Sequence, residues 1–180
     1  MFLKSVLRAH HLIVLKINQI EISENESRLK IIKSIESAYK KAPYFKEVFP
    51  IIEKVILGKY THIDEMAISS LVAVCKYLNL EINYDRTSKA DPGSQGQEKC
   101  ERLASITKTL GFSNYVNVIN DMYDKETFKS KNVNLFFNDH KIKSYNQFGK
   151  PFVSHLSIID VLMFNSIRDT KKLILSYHII

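Results

Sequence analysis

Ser157 and Asp160 lie at the head of an apolar run, with His155 just upstream. Serine, histidine and aspartate are the residue types of nucleophilic catalysis, and His155 would titrate near neutral pH. A nucleophile also needs a base within reach and an oxyanion donor, which adjacency in sequence does not supply. His155 and Ser157 share a face only if their segment is extended. Ser-x-x-Asp before apolar residues is equally the pattern of a capped helix N-terminus. The expectation is capping by Ser157 and Asp160, with His155, Ser157 and Asp160 kept as the candidate catalytic set.

A second set lies in Asp85 to Gly96, between an expected strand and a helix N-terminus. Helix starts offer unpaired N–H groups and a positive dipole end, which suit phosphate or carboxylate. Arg86 and Lys89 would add charge, Ser88 and Ser94 hydroxyls, and Gly93 and Gly96 close backbone approach. The alternative is an ordinary turn at Asp91-Pro92-Gly93, with Ser94 and Gln97 forming a capping box. The full pattern of a phosphate-binding loop is missing. Tyr39 and Tyr44, with Phe45, flank Pro43 at a helix junction. They are candidates for stacking on a sugar, or for core packing with hydroxyls at the edge.

No metal ligand set is expected. His10, His11, His62, His140 and His178 have no ligand spacing, and Cys75 and Cys100 form no CxxC pair. Both cysteines read as small buried hydrophobes. The 180 residues carry a net charge of +7, from 26 basic and 19 acidic side chains scattered along the chain. That charge suits an anionic partner such as a nucleotide, a phosphorylated carrier or an anionic membrane surface. General solvation of a lysine-rich chain explains it equally well, and no nucleic-acid-binding signature accompanies it. No apolar run approaches the roughly 20 residues of a transmembrane helix. The start has no signal-peptide core, and a cytoplasmic location is expected.

The elements that would position these residues alternate. Even spacing of apolar residues in 12–22 indicates one or two strands. A helix follows to about Lys41, with Leu29, Ile32, Ile35 and Tyr39 inward, ended by Ala42-Pro43. The next, Tyr44 to Leu57, is expected to break or kink near Pro50. Thr61 to Asp64 resembles a capping box for a third helix bearing Ile68, Leu71, Val72, Cys75 and Leu78 inward. Glu81 to Asp85 reads as a strand, followed after the loop by a helix with Cys100, Leu103, Ile106 and Leu110 on one face, stopped by Gly111. Strands are expected at 114–119 and 133–137, and helices at 157–165 and 169–177. The fold class is α/β and helix-rich, a single domain with a short, mostly parallel sheet flanked by helices.

Three phrases together resemble the WbqC-like family of bacterial proteins. The first runs from Ser34 through Tyr39-Lys40-Lys41-Ala42-Pro43-Tyr44-Phe45. The second is Thr87-Ser88, then a helix ending in Leu110-Gly111, then Tyr115. The third is Tyr145-x-Gln147, Phe152 and Leu156-Ser157-Ile158-Ile159-Asp160-Val161-Leu162. Order and spacing agree over residues 17–180, taken as the family domain. Residues 1–16 lack the family's opening strand and Gln-Pro-x-Tyr-x-Pro turn, so an N-terminally shortened member is expected. The resemblance implies a transferase of O-antigen and related surface-polysaccharide biosynthesis, attaching glycine or another acyl group to a sugar. The implied partners are a nucleotide-sugar or acyl donor. The alternative is a non-catalytic remnant or scaffold. A sheet lacking its opening strand would expose an edge and self-associate through it.

Overall fold

The computed structural model describes residues 16–22, 25–119, 122–149 and 151–180. In chain order the elements are α1 (Asn25–Tyr39), α2 (Phe45–Ile56), α3 (Ile63–Tyr77), α4 (Thr87–Ala90), α5 (Lys99–Thr109), β1 (Asn114–Val118), α6 (Lys125–Ser130), β2 (Asn134–His140), α7 (Ile158–Phe164), α8 (Ile167–Ile174) and β3 (Tyr177–Ile179). Short 3-10 turns occupy Ile17–Gln19 and Pro92–Ser94. The chain forms two compact units. One comprises residues up to 82 together with 144–173, the other 83–143 with 174–180.

The first unit is helical. On α1 the inward stripe is Arg28, Ile32, Ile35 and Tyr39, spaced four, three and four, rather than one starting at Leu29. Leu29 is exposed, while Arg28 is buried and donates from Nη1 to the carbonyls of Gly58 (2.7 Å) and Ile56 (3.3 Å). A cation there satisfies carbonyls that a helix C-terminus leaves unpaired, and this outweighs burying Leu29. Helix α2 runs unbroken through Pro50, against the expected break. Its apolar face of Val48, Ile52, Val55 and Ile56 is buried, whereas Pro50 lies on the exposed side. Water there can serve the carbonyl that the proline leaves without a helix partner. The cap of α3 falls one residue later than expected. Glu65 Oε2 accepts from the N–H groups of Thr61 (2.8 Å) and His62 (3.3 Å).

Residues 12–15 of the expected first strand lie outside the described residues. Residues 17–19 form a turn, and Glu21 makes an isolated antiparallel bridge with His62. Too few backbone groups meet there to build a ladder.

The second unit holds the sheet, ordered β1-β2-β3. It is mixed rather than mostly parallel. The pair β1–β2 is parallel, from Asn114↔Asn134 to Val118↔Asn138, whereas β2–β3 is antiparallel. The final strand sits where a helix was expected to run to Tyr177. Helix α8 stops at Ile174, and the chain turns back along β2. Glu81 to Asp85, expected as a strand, pairs with no strand among the described residues. Cys100 and Ala104 of α5, Phe128 of α6, Val133 and Leu135 make the core of this unit, with Tyr115 stacked on Phe128 at 5.4 Å. Asp124 caps α6 by accepting from the N–H groups of Glu126 and Thr127, both at 3.1 Å. No helix among the described residues is long and apolar enough to cross a membrane.

Candidate functional site

The first turn of α7 carries Asp160 inward. Ser157 sits at the N-cap and its Oγ accepts from the N–H of Ile159 (3.3 Å), so one half of the Ser-x-x-Asp phrase does cap. Asp160 goes elsewhere. Its side chain is 3% exposed and accepts three hydrogen bonds from distant parts of the sequence. Tyr145 donates its hydroxyl to Oδ1 at 2.6 Å, Gln147 donates from Nε2 to the same oxygen at 2.7 Å, and Tyr39 donates its hydroxyl to Oδ2 at 3.0 Å.

Each donor is placed by its own local structure. Tyr39 ends α1, and its ring meets Phe164 edge-on at 6.1 Å. Gln147 pairs its side-chain amide with one backbone residue in both directions. Its Oε1 accepts from Val153 N–H (2.8 Å) and its Nε2 donates to Val153 O (3.2 Å). The amide thereby does what a neighbouring strand would do, and fixes the loop that carries it. Between these two residues the chain reverses, with Phe148 at φ 54° and Gly149 at φ 68°, and Asn146 Oδ1 accepting from Gly149 N–H at 2.8 Å. A positive φ is costly for a residue with a Cβ, and this one brings the Phe148 ring against Phe164 at 4.7 Å. Tyr145 in turn packs edge-on against Phe152 at 5.0 Å.

Beside Asp160 lies an open pocket of about 240 Å³. Its walls are Ala38, Phe148, Pro151, Val153, Leu156 and Phe164, and its polar groups are Tyr39, Gln147 and Asp160. Pockets for drug-sized ligands run to roughly 300–1,000 Å³, so this one has room only for a smaller group. Burial, followed by the bond to Asp160 and its charge, pushes the Tyr39 hydroxyl up to about 12. The same causes in the same order raise Tyr145 further, with Gln147 acting slightly against them. Both phenols therefore stay protonated donors at neutral pH. A carboxylate offers about four acceptor positions, and three are taken. The remaining position, on Oδ2, can accept an O–H or N–H from a bound molecule.

The structure thus joins Tyr39 to Asp160 by a side-chain hydrogen bond, and among the described residues no side-chain hydrogen bond joins Asp160 to another of the candidates. His155, at φ 59°, is exposed, and its Nδ1 lies 2.9 Å from Ser154 Oγ. No hydrogen bond joins it to Ser157 among the described residues. Tyr44 starts α2 and donates its backbone N–H to Met163 O at 3.1 Å. In the second unit, Arg86 precedes the single turn of α4, Ser88 is half-buried within it, and Lys89 is exposed. Ser94 is buried, with its hydroxyl donating to Asp91 O at 2.9 Å rather than capping α5. The cap of α5 is Glu98, whose carboxylate accepts from Lys99 N–H at 3.1 Å. Two of the donors to Asp160, Tyr145 and Gln147, belong to no candidate set above, and the phrase Tyr145-x-Gln147 is the signal that marks them.

Fold and site define a helix-rich protein with a small mixed sheet and a hydrogen-bonded carboxylate beside a small open pocket. The chain belongs to the WbqC-like protein family, whose family model it matches over residues 6–172. That is the family indicated by the three phrases, and two of them meet in the pocket. No match was found among curated proteins or among solved structures.

Proposed function

We propose that the protein is a cytoplasmic transferase of bacterial surface-polysaccharide biosynthesis, O-antigen included, which passes an acyl or aminoacyl group such as glycyl to a sugar held at Asp160. The observation that supports it most is the convergence of Tyr39, Tyr145 and Gln147 on one carboxylate at a pocket of about 240 Å³. In this reading Asp160 orients the acceptor through its open position on Oδ2. The acceptor heteroatom bonds to the acyl carbon, the donor's leaving group departs with the electron pair of the broken bond, and the acceptor's proton goes with it. Positioning of two reactants in this way is a large part of what a group-transfer catalyst supplies. Asp160 serves as the orienting group, while Ser157 and His155 take no part.

The test is a titration of the full chain with nucleotide-sugars and aminoacyl donors, followed by a transfer assay. Binding and transfer that fall in Asp160→Asn support the proposal. Absence of binding to every donor and acceptor tried contradicts it. A second reading, a non-catalytic interaction protein, draws on the second unit. There β1 is an edge strand, and Val116 and Val118 are exposed on it. Unpaired edges template association with a further strand. This reading expects a dimer of the chain by size-exclusion, and a monomer at all concentrations removes it.

A further inference from the structure

We propose that the Asp160 pocket selects an ammonium group, so that its ligand is an amine-bearing sugar rather than a neutral one. The inference rests on the acceptor reading above and names the class of acceptor. It comes from the charge balance around one side chain. Asp160 is nearly inaccessible, and each of its three partners, Tyr39, Tyr145 and Gln147, is a neutral donor. Among the described residues, no lysine, arginine or histidine lines the pocket or pairs with this carboxylate. Neutral donors satisfy the geometry of a carboxylate but not its charge. A buried charge without a counter-ion carries a desolvation penalty that a paired cation offsets.

The free acceptor position on Oδ2 gives such a cation a place to bind. The apolar walls, with Phe148 and Phe164 in edge contact at 4.7 Å, reduce competition from water. A hydroxyl could fill the same position, but a hydrogen bond between two charged groups exceeds one to a neutral donor by enough to change affinity about tenfold. The net charge of +7 works against cations at long range. Preference for an amine therefore has to come from this local carboxylate and not from the field of the whole molecule.

The experiment is an NMR titration of the full chain with three probes of one ring shape: D-glucosamine, D-glucose and N-acetyl-D-glucosamine. Glucosamine should bind at least about tenfold more tightly than either neutral sugar. Asp160→Asn should remove that preference. Because that variant could fold poorly, a second arm uses the unaltered chain. Raising the pH through the amine's own pKa should bring glucosamine down to the affinity of glucose. The groups facing Asp160 stay fixed in that range, since Gln147 does not titrate and both phenols are pushed up, Tyr39 to about 12. Equal affinity for the three sugars overturns the ammonium inference and leaves the acceptor reading standing. Failure of all three to bind overturns both.

Discussion

Removing the Asp160 carboxylate should be among the more damaging changes in the first unit. Asp160→Ala strips the acceptor from bonds of 2.6, 2.7 and 3.0 Å. A hydrogen bond to a charged group contributes about 1.5–3 kcal/mol net, so three would sum to about 4.5–9 kcal/mol if each loss were complete. They are not complete. Tyr39 and Tyr145 are only half-buried, so water can replace the acceptor, and Gln147 keeps its bonds to Val153. Relief of the buried charge offsets a further part. The expected cost is therefore about 2–4 kcal/mol, measured by urea unfolding. A double-mutant cycle with Tyr145→Phe should give a coupling of about 1–2 kcal/mol, well above the ~0.3–0.5 kcal/mol scatter of independent sites. An Asp160→Ala cost below 1 kcal/mol, or additivity with Tyr145→Phe, would refute the reasoning.

Three further outcomes follow from the same geometry. Ser157→Ala should cost about 1 kcal/mol, the usual value for an N-cap, and leave glucosamine affinity within about twofold; loss of binding in a stable variant would return Ser157 to the site. Alkaline stability tests the phenols. A hydroxyl raised from 10.0 to about 12 in the folded state stabilises the fold fully below pH 10 and loses that contribution as pH rises to about 12. Two units at 1.36 kcal/mol each, reduced for the exposed part of Tyr39, give about 1 kcal/mol, so Tyr39→Phe should show a correspondingly flatter loss over that range, and identical slopes would count against it. In the second unit, Phe128 is fully buried against Cys100, Ala104, Val133 and Leu135, so Phe128→Ala should cost about 3–5 kcal/mol, and a cost under 1 kcal/mol in thermal melts would show that this core is not where the structure places it.

How far the sequence reveals this depends on the range of the interaction. The helices were legible where apolar residues repeat with helical spacing, as in Cys100, Leu103 and Ile106 of α5, because periodicity is a local property. Ser157 was legible as a cap for the same reason. The hidden features were those decided by distant partners. Arg28 replaces Leu29 on the inward face only because the carbonyls of Ile56 and Gly58 lie nearby. The sheet's direction changes at β3, whose pairing with β2 joins residues 138–140 to 177–179. No local pattern distinguishes Glu81 to Asp85, which alternates and pairs with no strand among the described residues, from Tyr177 to Ile179, which does pair. Asp160 was visible as a polar residue on an apolar helix, but its acceptor role depends on Tyr39, 121 positions away.

The central claim is that ligand binds at Asp160 and not at the loop 85–96. Amide shift mapping of the full chain during titration with D-glucosamine measures this directly. The account predicts that the largest perturbations fall on residues 38–39, 147–149 and 153–164, with Asp85 to Gly96 nearly unmoved. Perturbations centred on Arg86, Ser88 and Lys89, with Asp160 and its neighbours silent, would contradict it.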